Sequence, residues 1–293
     1  MFDHIESFYR PATVREALLL LRKVGNRGRV VAGATDLVLQ ADRSTRFLVD
    51  ITRLGLDYIR GNSRELTLGA TATMRDIEQS PRVRALANGI LAQAASTCGS
   101  IQNRNMATVG GNLANASPAA DTASVLLALD AEVVVATARR QSKIALSEFL
   151  LGPHRTALNG GLLLEISIPA LPRGGRMGWS FEKLGRTETD ISLVNAAAGL
   201  QFDARGQVKW ARIALGAVGP KPLRARTAEA LLTGKALSDD LLARVGEAVM
   251  SEVSPISDSR ASADYRREMS AVLARRALRE CAAHAGVSLA NAA

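Results

Sequence analysis

Two short glycine-containing segments are the strongest candidates for binding chemistry in this sequence. The first covers residues 32–36, where Ala-Gly-Ala-Thr-Asp follows a short β-branched run. The second covers residues 108–112 and contains Gly110 and Gly111 between hydroxyl- and amide-bearing residues. Small residues leave backbone N–H groups open to an anion, and the polar side chains add further donors. If the fold brings the two segments together, they could hold a diphosphate from two sides.

No other pattern points to a reactive group. The three histidines, His4, His154 and His284, are far apart, and no serine lies in a G-x-S-x-G setting. Neither G-x-G-x-x-G nor a Walker A motif occurs, which argues against a Rossmann or P-loop nucleotide site. The two cysteines, Cys98 and Cys281, are too few to hold an iron–sulfur cluster or a structural zinc within this chain. We therefore assign no catalytic residue and no metal ligand.

The excess of basic residues does not indicate a nucleic-acid-binding protein. The chain carries 37 Lys and Arg against 28 Asp and Glu, a net charge of +9, but the arginines are spread along its length. Aromatic residues, which stack on bases, make up only 4% of the sequence. The first ten residues include acids where a signal peptide needs basic and apolar residues, and no apolar run approaches a membrane span. We expect a cytoplasmic protein with no membrane span.

The elements that must position the two segments predict an α+β fold. The sequence pattern indicates a first helix capped by Thr13, a second helix over residues 83–97 and a third that starts at Ser117 and Pro118. A polar loop is expected over residues 98–107. Strands are expected at residues 29–31, 47–51, 65–69 and 132–136. A Pro- and Gly-rich stretch at residues 169–175 then marks a boundary. Three long strand candidates follow it, and two helices close the chain.

We expect a first domain of residues 1–172, with two subdomains split near residues 55–60, and a second domain of residues 173–293. The arginine-rich last helix has two interpretations. It is either a solvated surface or an interface with another subunit.

Longer stretches around the two glycine segments resemble one known family. Residues 32–36 and 107–121 look like the paired FAD loops of the flavoprotein medium subunit in the xanthine dehydrogenase and carbon monoxide dehydrogenase family of molybdenum hydroxylases. The similarity continues in order through residues 152–157, 162–169, 181–186 and 255–260, with Tyr265 and Arg266. It implies a vanillyl-alcohol-oxidase-type (PCMH-type) FAD-binding domain, followed by a C-terminal domain of sheet and helices.

The resemblance also implies which residues bind FAD. The loop that would wrap the pyrophosphate consists of Val31, Ala32, Gly33, Ala34, Thr35, Asp36 and Leu37. Thr108, Gly111 and Asn112 would bind it from the other side, with Gly99 and Gly110 also among the cofactor-binding residues. Asp121 would anchor the adenosine portion, Leu163 and Leu164 would border the adenine or the flavin, and Lys183 would approach the isoalloxazine edge.

Some of these positions have a structural alternative. Asp121 would favour the dipole of a helix start without any ligand, and Lys183 could be a solvated strand residue. The first loop has Ala34, Thr35 and Asp36 where many relatives carry a second Gly and a Ser, so backbone donation should survive while side-chain contacts differ.

Ile191 is expected near the isoalloxazine with no ring to stack on it, which leaves room for a nicotinamide and favours NAD⁺ as acceptor.

The function implied by the resemblance is that of an FAD-binding electron-transfer subunit. In such enzymes a large molybdopterin subunit oxidises the substrate, and a small subunit with two [2Fe–2S] clusters relays electrons to the flavin. We expect those two partner chains, in a dimer of heterotrimers. Two alternatives remain open: a self-contained flavin reductase of the same fold, and an assembly subunit whose loops bind nothing.

Overall fold

The chain forms three main sheets with helices packed on them, and the computed structural model describes residues 4–40 and 42–290. The first unit is a small parallel sheet with the strand order β1-β3-β2. Its elements are β1 (Ser7–Tyr9), α1 (Val14–Val24), β2 (Gly28–Val31), α2 (Thr35–Gln40) and β3 (Phe47–Asp50).

Helix α1 begins and ends where the sequence predicts. Thr13 accepts a hydrogen bond from the N–H of Glu16, and Gly25 ends the helix with φ of 58°. Ala17 and Leu18 are buried and pack with Val49 of β3 in one apolar cluster. Ala32 of the first glycine segment packs against this cluster, and β2, which precedes that segment, pairs with β3.

The second unit is an antiparallel five-stranded sheet with helices on it. Its elements are β4 (Ile59–Gly61), β5 (Leu66–Gly69), α3 (Met74–Gln79), α4 (Pro81–Ala85), α5 (Ile90–Ser96), α6 (Ile101–Met106), α7 (Val109–Asn115), α8 (Asp121–Ala128), β6 (Glu132–Ala136), β7 (Gln141–Ala145), α9 (Leu146–Phe149), β8 (Leu150–Gly152), β9 (Arg155–Thr156) and β10 (Leu162–Ile168). The strand order is β4-β5-β10-β6-β7, and β8 and β9 form a separate hairpin.

Three predictions for this unit were wrong, two of which concern short helices. The helix expected over residues 83–97 is interrupted, because Ala87 and Asn88 have positive φ of 49° and 54°. The expected polar loop 98–107 contains α6, whose first turn is capped by the side chain of Ser100. Short helices of this kind depend on tertiary packing more than on their own propensity, so sequence pattern identifies them poorly.

The helix predicted to start at Ser117 and Pro118 starts later, at Asp121. Residues 117–120 form a turn instead, in which the Ser117 hydroxyl accepts from the N–H of Ala119. The carbonyl of Pro118 accepts a hydrogen bond of 2.7 Å from the N–H of Ala217 in the C-terminal unit. A contact with a distant part of the chain therefore holds this turn out of the helix.

The third unit is a four-stranded antiparallel sheet followed by three helices. Its elements are β11 (Arg176–Leu184), β12 (Val194–Phe202), β13 (Val208–Gly216), β14 (Leu223–Arg224), α10 (Arg226–Leu232), α11 (Asp239–Glu252) and α12 (Ala263–His284). Every residue of β12 is buried, because helices cover both faces of the sheet. Trp179 and Phe181 of β11 belong to the core of the second unit, whereas Leu200 and Leu215 pack with α11 and α12. The second and third units therefore share a continuous apolar interior.

Candidate functional site

A large cleft opens where the three units meet, with a volume of about 1810 Å³. Its walls come from α1, β2 and α2 of the first unit, from α3, α6, α7 and β10 of the second, and from Thr189, Asp190, Ile191 and Arg260 of the third. Sites for single drug-sized ligands have volumes of roughly 300–1,000 Å³. This cleft therefore has room for an extended dinucleotide.

The fold brings most of the sequence-proposed residues to this cleft. Those on its wall are Ala32, Gly33, Ala34, Thr35, Asp36, Leu37, Gly99, Thr108, Gly110, Gly111, Asn112, Asp121 and Leu163. Val31, Leu164 and Lys183 lie outside the wall, and all three are largely withdrawn from solvent. The two glycine segments, which are far apart in sequence, face the same space.

The first segment packs directly against the backbone that leads into the second. A Cβ on Gly33 would lie 1.7 Å from the carbonyl oxygen of Met106, so only glycine permits this approach. The next residue, Ala34, has φ of 58°, a left-handed conformation that costs an alanine roughly 1–2 kcal/mol. Gly33 therefore joins the two segments to one another.

The first turn of α2 supplies the backbone donors of the site. The first hydrogen bond of this helix runs from the N–H of Val38 to the carbonyl of Ala34. The N–H groups of Thr35, Asp36 and Leu37 precede that bond and have no partner within the helix. All three residues lie on the cleft wall, where these groups are available to an anion.

The second segment is the start of α7, and its first backbone donors are already used. The N–H of Val109 donates to the carbonyl of Ala72 at 3.0 Å, and the N–H of Gly110 donates to the carbonyl of Ala70 at 2.9 Å. A Cβ on Gly110 would lie 2.5 Å from that same Ala70 oxygen. Gly110 is therefore needed for packing against the strand end, and the open pair of amides expected from the sequence is not present here.

What the second segment offers the cleft is an open surface and one side-chain amide. Gly111 is exposed, and within 4 Å a Cβ there would meet only the hydroxyl of Thr108, which caps the Gly111 N–H at 3.1 Å. The side-chain oxygen of Asn112 accepts from the hydroxyl of Thr122 at 2.7 Å. This bond orients the Asn112 side chain and leaves its NH₂ group as a donor.

Asp121 is the acceptor at the centre of a buried polar cluster. One carboxylate oxygen accepts from the hydroxyl of Ser192 at 2.5 Å and from the amide of Asn195 at 2.9 Å. The other accepts from the ammonium of Lys183 at 2.8 Å and from the hydroxyl of Thr97 at 3.1 Å. The carboxylate is thus saturated by protein donors, and Lys183 is a buried partner of Asp121, not a solvated strand residue.

Leu163 and Leu164 separate at a β-bulge in β10. The register against β6 shifts between Leu163 and Glu165, so Leu164 is the extra residue. Leu163 faces the cleft, whereas Leu164 packs in the apolar cluster of the first unit and its carbonyl accepts from the N–H of Ala70. Only one of the two leucines is therefore placed to contact a ligand in the cleft.

The C-terminal unit completes the cleft, through residues that sequence reasoning largely missed. Ile191 was expected here and is 44% exposed on the wall. Arg260 was not expected, although it closes the motif at residues 255–260, and its guanidinium pairs with Asp258 at 2.8 Å. Asp258 also binds Arg266, which donates to the carbonyl of Leu193 at 2.6 Å. This chain of contacts ties the cleft segment to α12.

Arg266 was expected either on a solvated helix face or at an interface with another subunit, but its side chain is buried within this chain. Although burial acts in the opposite direction, the N–H groups of Arg260 and Ala261 and the guanidinium of Arg266 lower the pKa of Asp258 to about 2. Asp258 therefore stays ionised at neutral pH and holds both arginines.

Two titratable groups on the cleft wall have altered acidity. Burial raises the pKa of Asp36, while the nearby imidazole of His154 acts in the opposite direction. Burial, with a further contribution from the negative charge of Asp121, raises the pKa of the Cys98 thiol to about 12. Cys98 therefore remains protonated at neutral pH.

The residues present fit an FAD molecule. The free N–H groups of α2 and the exposed Gly111 line the same cleft, and a Cβ at position 111 would meet only the hydroxyl of Thr108 within 4 Å. Such an arrangement suits a diphosphate, and the size of the cleft suits the two ring systems attached to it. The fold and the cleft together define a flavoprotein chain of the α+β class.

Comparison with known families identifies both halves of the chain. The family described as "FAD binding domain in molybdopterin dehydrogenase" matches residues 2–171. The family described as "CO dehydrogenase flavoprotein C-terminal domain" matches residues 179–281.

Two individual relatives are similar in sequence to this chain over nearly the full length of both proteins. The glyceraldehyde dehydrogenase medium chain of Sulfolobus acidocaldarius is 32% identical over 281 residues, which are 94% of this chain and 98% of that protein. The carbon monoxide dehydrogenase medium chain of Hydrogenophaga pseudoflava is 30% identical over 92% of this chain and 95% of that protein.

Solved structures show the same fold. A chain of carbon monoxide dehydrogenase from Hydrogenophaga pseudoflava superposes with a TM-score of 0.90 at 31% identity, covering 96% of this chain and 98% of that one. A chain of quinoline 2-oxidoreductase from Pseudomonas putida 86 gives a TM-score of 0.87 at 28% identity, covering 95% and 97%.

The chain therefore belongs to the FAD-binding medium subunits of the carbon monoxide and xanthine dehydrogenase family. It is an oxidoreductase subunit, and its cofactor is FAD. The expected fold, an FAD-binding domain followed by a domain of sheet and helices, is confirmed.

Two absences hold for the part of the chain that the structure describes. Within residues 4–40 and 42–290, no helix has both the length and the hydropathy required to cross a bilayer. Over the same residues, His, Cys, Asp and Glu side chains do not form a group of three or more suited to a metal ion.

Proposed function

We propose that this chain is the electron-transfer subunit of a heteromeric molybdenum hydroxylase. It would take electrons from [2Fe–2S] clusters on a small partner chain and pass them to an external acceptor. The observation that carries this proposal is the cleft itself, which is walled by both parts of the chain that match flavoprotein families. When bound, FAD supplies the ability to accept electrons from a one-electron donor and deliver them to a separate acceptor.

The residues of the chain have distinct proposed roles in holding FAD. The N–H groups of Thr35, Asp36 and Leu37 bind the diphosphate, and Gly111 leaves the space for it. Asn112 donates its side-chain amide from the opposite wall.

The remaining sequence-proposed residues act less directly. Leu163 provides apolar contact with a ring system. Asp121 and Lys183 position the wall through their buried pair, because their polar atoms are occupied by each other and by neighbouring protein donors and acceptors. Val31 and Leu164 support the loop and the strand from behind.

The proposal includes the organisation of the chain and of its complex. We place an FAD-binding domain at residues 1–172, with subdomains that divide near residues 55–60, and a C-terminal domain at residues 173–293. The partners are a small iron–sulfur subunit and a large molybdopterin subunit in a dimer of heterotrimers, located in the cytoplasm.

NAD⁺ is the proposed acceptor. Ile191 is partly exposed on the cleft wall and carries no aromatic ring, so a nicotinamide could approach the bound isoalloxazine from that side. Stopped-flow reoxidation of the reduced complex by NAD⁺ and by dioxygen tests this choice. Negligible reaction with NAD⁺ would reverse it.

Reduction of the flavin by substrate tests the subunit assignment. The chain expressed alone should bind FAD and keep it oxidised when N-heterocycles, aldehydes or carbon monoxide are added anaerobically. The same flavin should lose its visible absorbance when the chain is expressed with its two companions. Bleaching in the isolated chain would replace this proposal with that of a self-contained flavoenzyme.

A further inference from the structure

Helix α2 carries the proposed phosphate donors, yet the apolar core does not hold it in place. None of its six residues is buried, and Leu39 is 84% exposed. Burial of apolar surface is the usual means by which a short helix is fixed. The position of α2 over the cleft must therefore depend on other contacts.

Those contacts converge on one side chain, Asn115, at the end of α7. Its amide nitrogen donates to a carboxylate oxygen of Asp36 at 2.9 Å. Its amide oxygen accepts from the side-chain nitrogen of Gln40 at 3.1 Å and lies 3.1 Å from Nδ1 of His154. Because that oxygen can only accept, Nδ1 of His154 must carry the proton in this contact.

These hydrogen bonds bridge separate units of the fold. Asp36 and Gln40 lie at the two ends of α2 in the first unit. Asn115 at the end of α7 belongs to the second unit, as does His154 in the turn between β8 and β9. All four residues line the cleft, as the two glycine segments do.

We propose that Asn115 is a latch that holds α2 across the bound diphosphate and thereby sets how long FAD remains in the cleft. This inference rests on the proposed FAD site and adds a positioning residue to it. An asparagine suits the role because one side chain must donate to Asp36 and also accept from Gln40 and His154. Without it, the donors on the first turn of α2 lose their fixed position.

The first test replaces the latch in the full-length chain. Asn115→Ala should release FAD at least about 10-fold faster, since a hydrogen bond to a charged group is lost along with two others. The rate is measured from the recovery of free-flavin fluorescence after dilution. The unfolding midpoint of the FAD-free protein should stay unchanged. The matched control is Asn105→Ala, an exposed asparagine on α6 outside this network, which should release FAD at the wild-type rate.

The second test exchanges donor and acceptor. Asn115→Asp places a carboxylate against that of Asp36 and should also release FAD quickly. The double variant Asp36→Asn with Asn115→Asp restores one amide and one carboxylate with the same total charge, and it should slow the release again. This rescue would show that the hydrogen bond between positions 36 and 115, and not the side chain at either position by itself, sets the release rate.

Two results would overturn the latch: wild-type release from Asn115→Ala, or no rescue in the double variant. Failure of the proposed function is a different outcome. In that case the wild-type chain itself would hold no FAD, or its flavin would not be reduced in the complex.

Discussion

The ammonium of Lys183 lies 2.8 Å from a carboxylate oxygen of Asp121, and both side chains are almost completely removed from solvent. Lys183 is on β11 of the C-terminal unit and Asp121 begins α8 beneath the cleft. Thr97, Ser192 and Asn195 complete the set of donors around the carboxylate. This pair therefore joins the cleft to the C-terminal unit.

Removing one member of the pair should destabilise the protein strongly. Asp121→Asn leaves the buried ammonium of Lys183 without its counter-charge, and we expect the free energy of unfolding to fall by about 3–5 kcal/mol. Urea denaturation followed by circular dichroism measures this loss. The double variant Asp121→Asn with Lys183→Met should recover part of it, because no unpaired charge remains. If the losses of unfolding free energy caused by Asp121→Asn and by Lys183→Met alone simply add in the double variant, the two side chains are not coupled.

Substitution of the adjacent residues Gly110 and Gly111 should affect different properties, fold stability for Gly110 and FAD binding for Gly111. Gly111→Val should give a folded protein that is largely free of FAD, because its Cβ would meet only the hydroxyl of Thr108, at 2.9 Å, and the rest of the side chain would enter the cleft. Gly110→Val should instead destabilise the fold, since its Cβ would lie 2.5 Å from the carbonyl oxygen of Ala70. Thermal unfolding and the FAD released by acid are measured for both. Full FAD content in folded Gly111→Val would show that the second segment is not at the diphosphate.

The left-handed residue of the first segment should tolerate glycine. Ala34→Gly removes a conformational cost of roughly 1–2 kcal/mol and introduces a glycine entropy cost of roughly 0.5–1 kcal/mol. The unfolding free energy should therefore be equal to that of the wild type or up to about 1.5 kcal/mol higher, with unchanged FAD affinity. Ala32→Gly in the same loop lacks the relief of strain and should be less stable. The reverse order of the two variants would contradict this account.

Acid should weaken the contact between the cleft and α12 in a defined pH range. The pKa of Asp258 is about 2 in the folded protein and about 3.9 for an unfolded aspartate. Because the folded pKa is lower, its stabilising effect is complete above pH 4 and is lost as the pH falls towards 2. Asp258→Asn should lower stability at neutral pH and reduce the loss between pH 4 and 2.

Urea denaturation across this pH range measures the effect of Asp258. Asp264→Asn is the control, since its ion pair with Arg267 is exposed and should contribute little. Equal pH dependence in Asp258→Asn and the wild type would exclude the proposed contribution.

Several parts of the fold could be predicted from the sequence because they depend on neighbouring residues. The Thr13 cap, the apolar face of α1 and the end at Gly25 are all encoded within a dozen positions. The Ser262 cap of α12 is equally local. The two glycine segments were also recognisable, since small residues beside polar ones leave backbone donors accessible.

Tertiary structure decided how those segments are used. The sequence predicts open N–H groups over residues 108–112, but the carbonyls of Ala72 and Ala70 occupy those of Val109 and Gly110. Lys183 carries no local sign that it pairs with Asp121 in another unit. Asn115 and His154 lie in stretches that carry the family resemblance, but no local pattern shows that they belong to the network that holds α2.

The physical reason is the range of the interactions. Helix caps, amphipathic periodicity and glycine conformations involve residues that are neighbours along the chain, so their pattern is visible in the sequence. A hydrogen bond between a carboxylate and a donor many residues away leaves no such pattern, because either partner alone has many other possible partners. The helix caps and the ligand-binding segments of this protein could therefore be recognised locally, whereas the short helices of the second unit and the partners of the buried polar groups were decided only when the three units packed together.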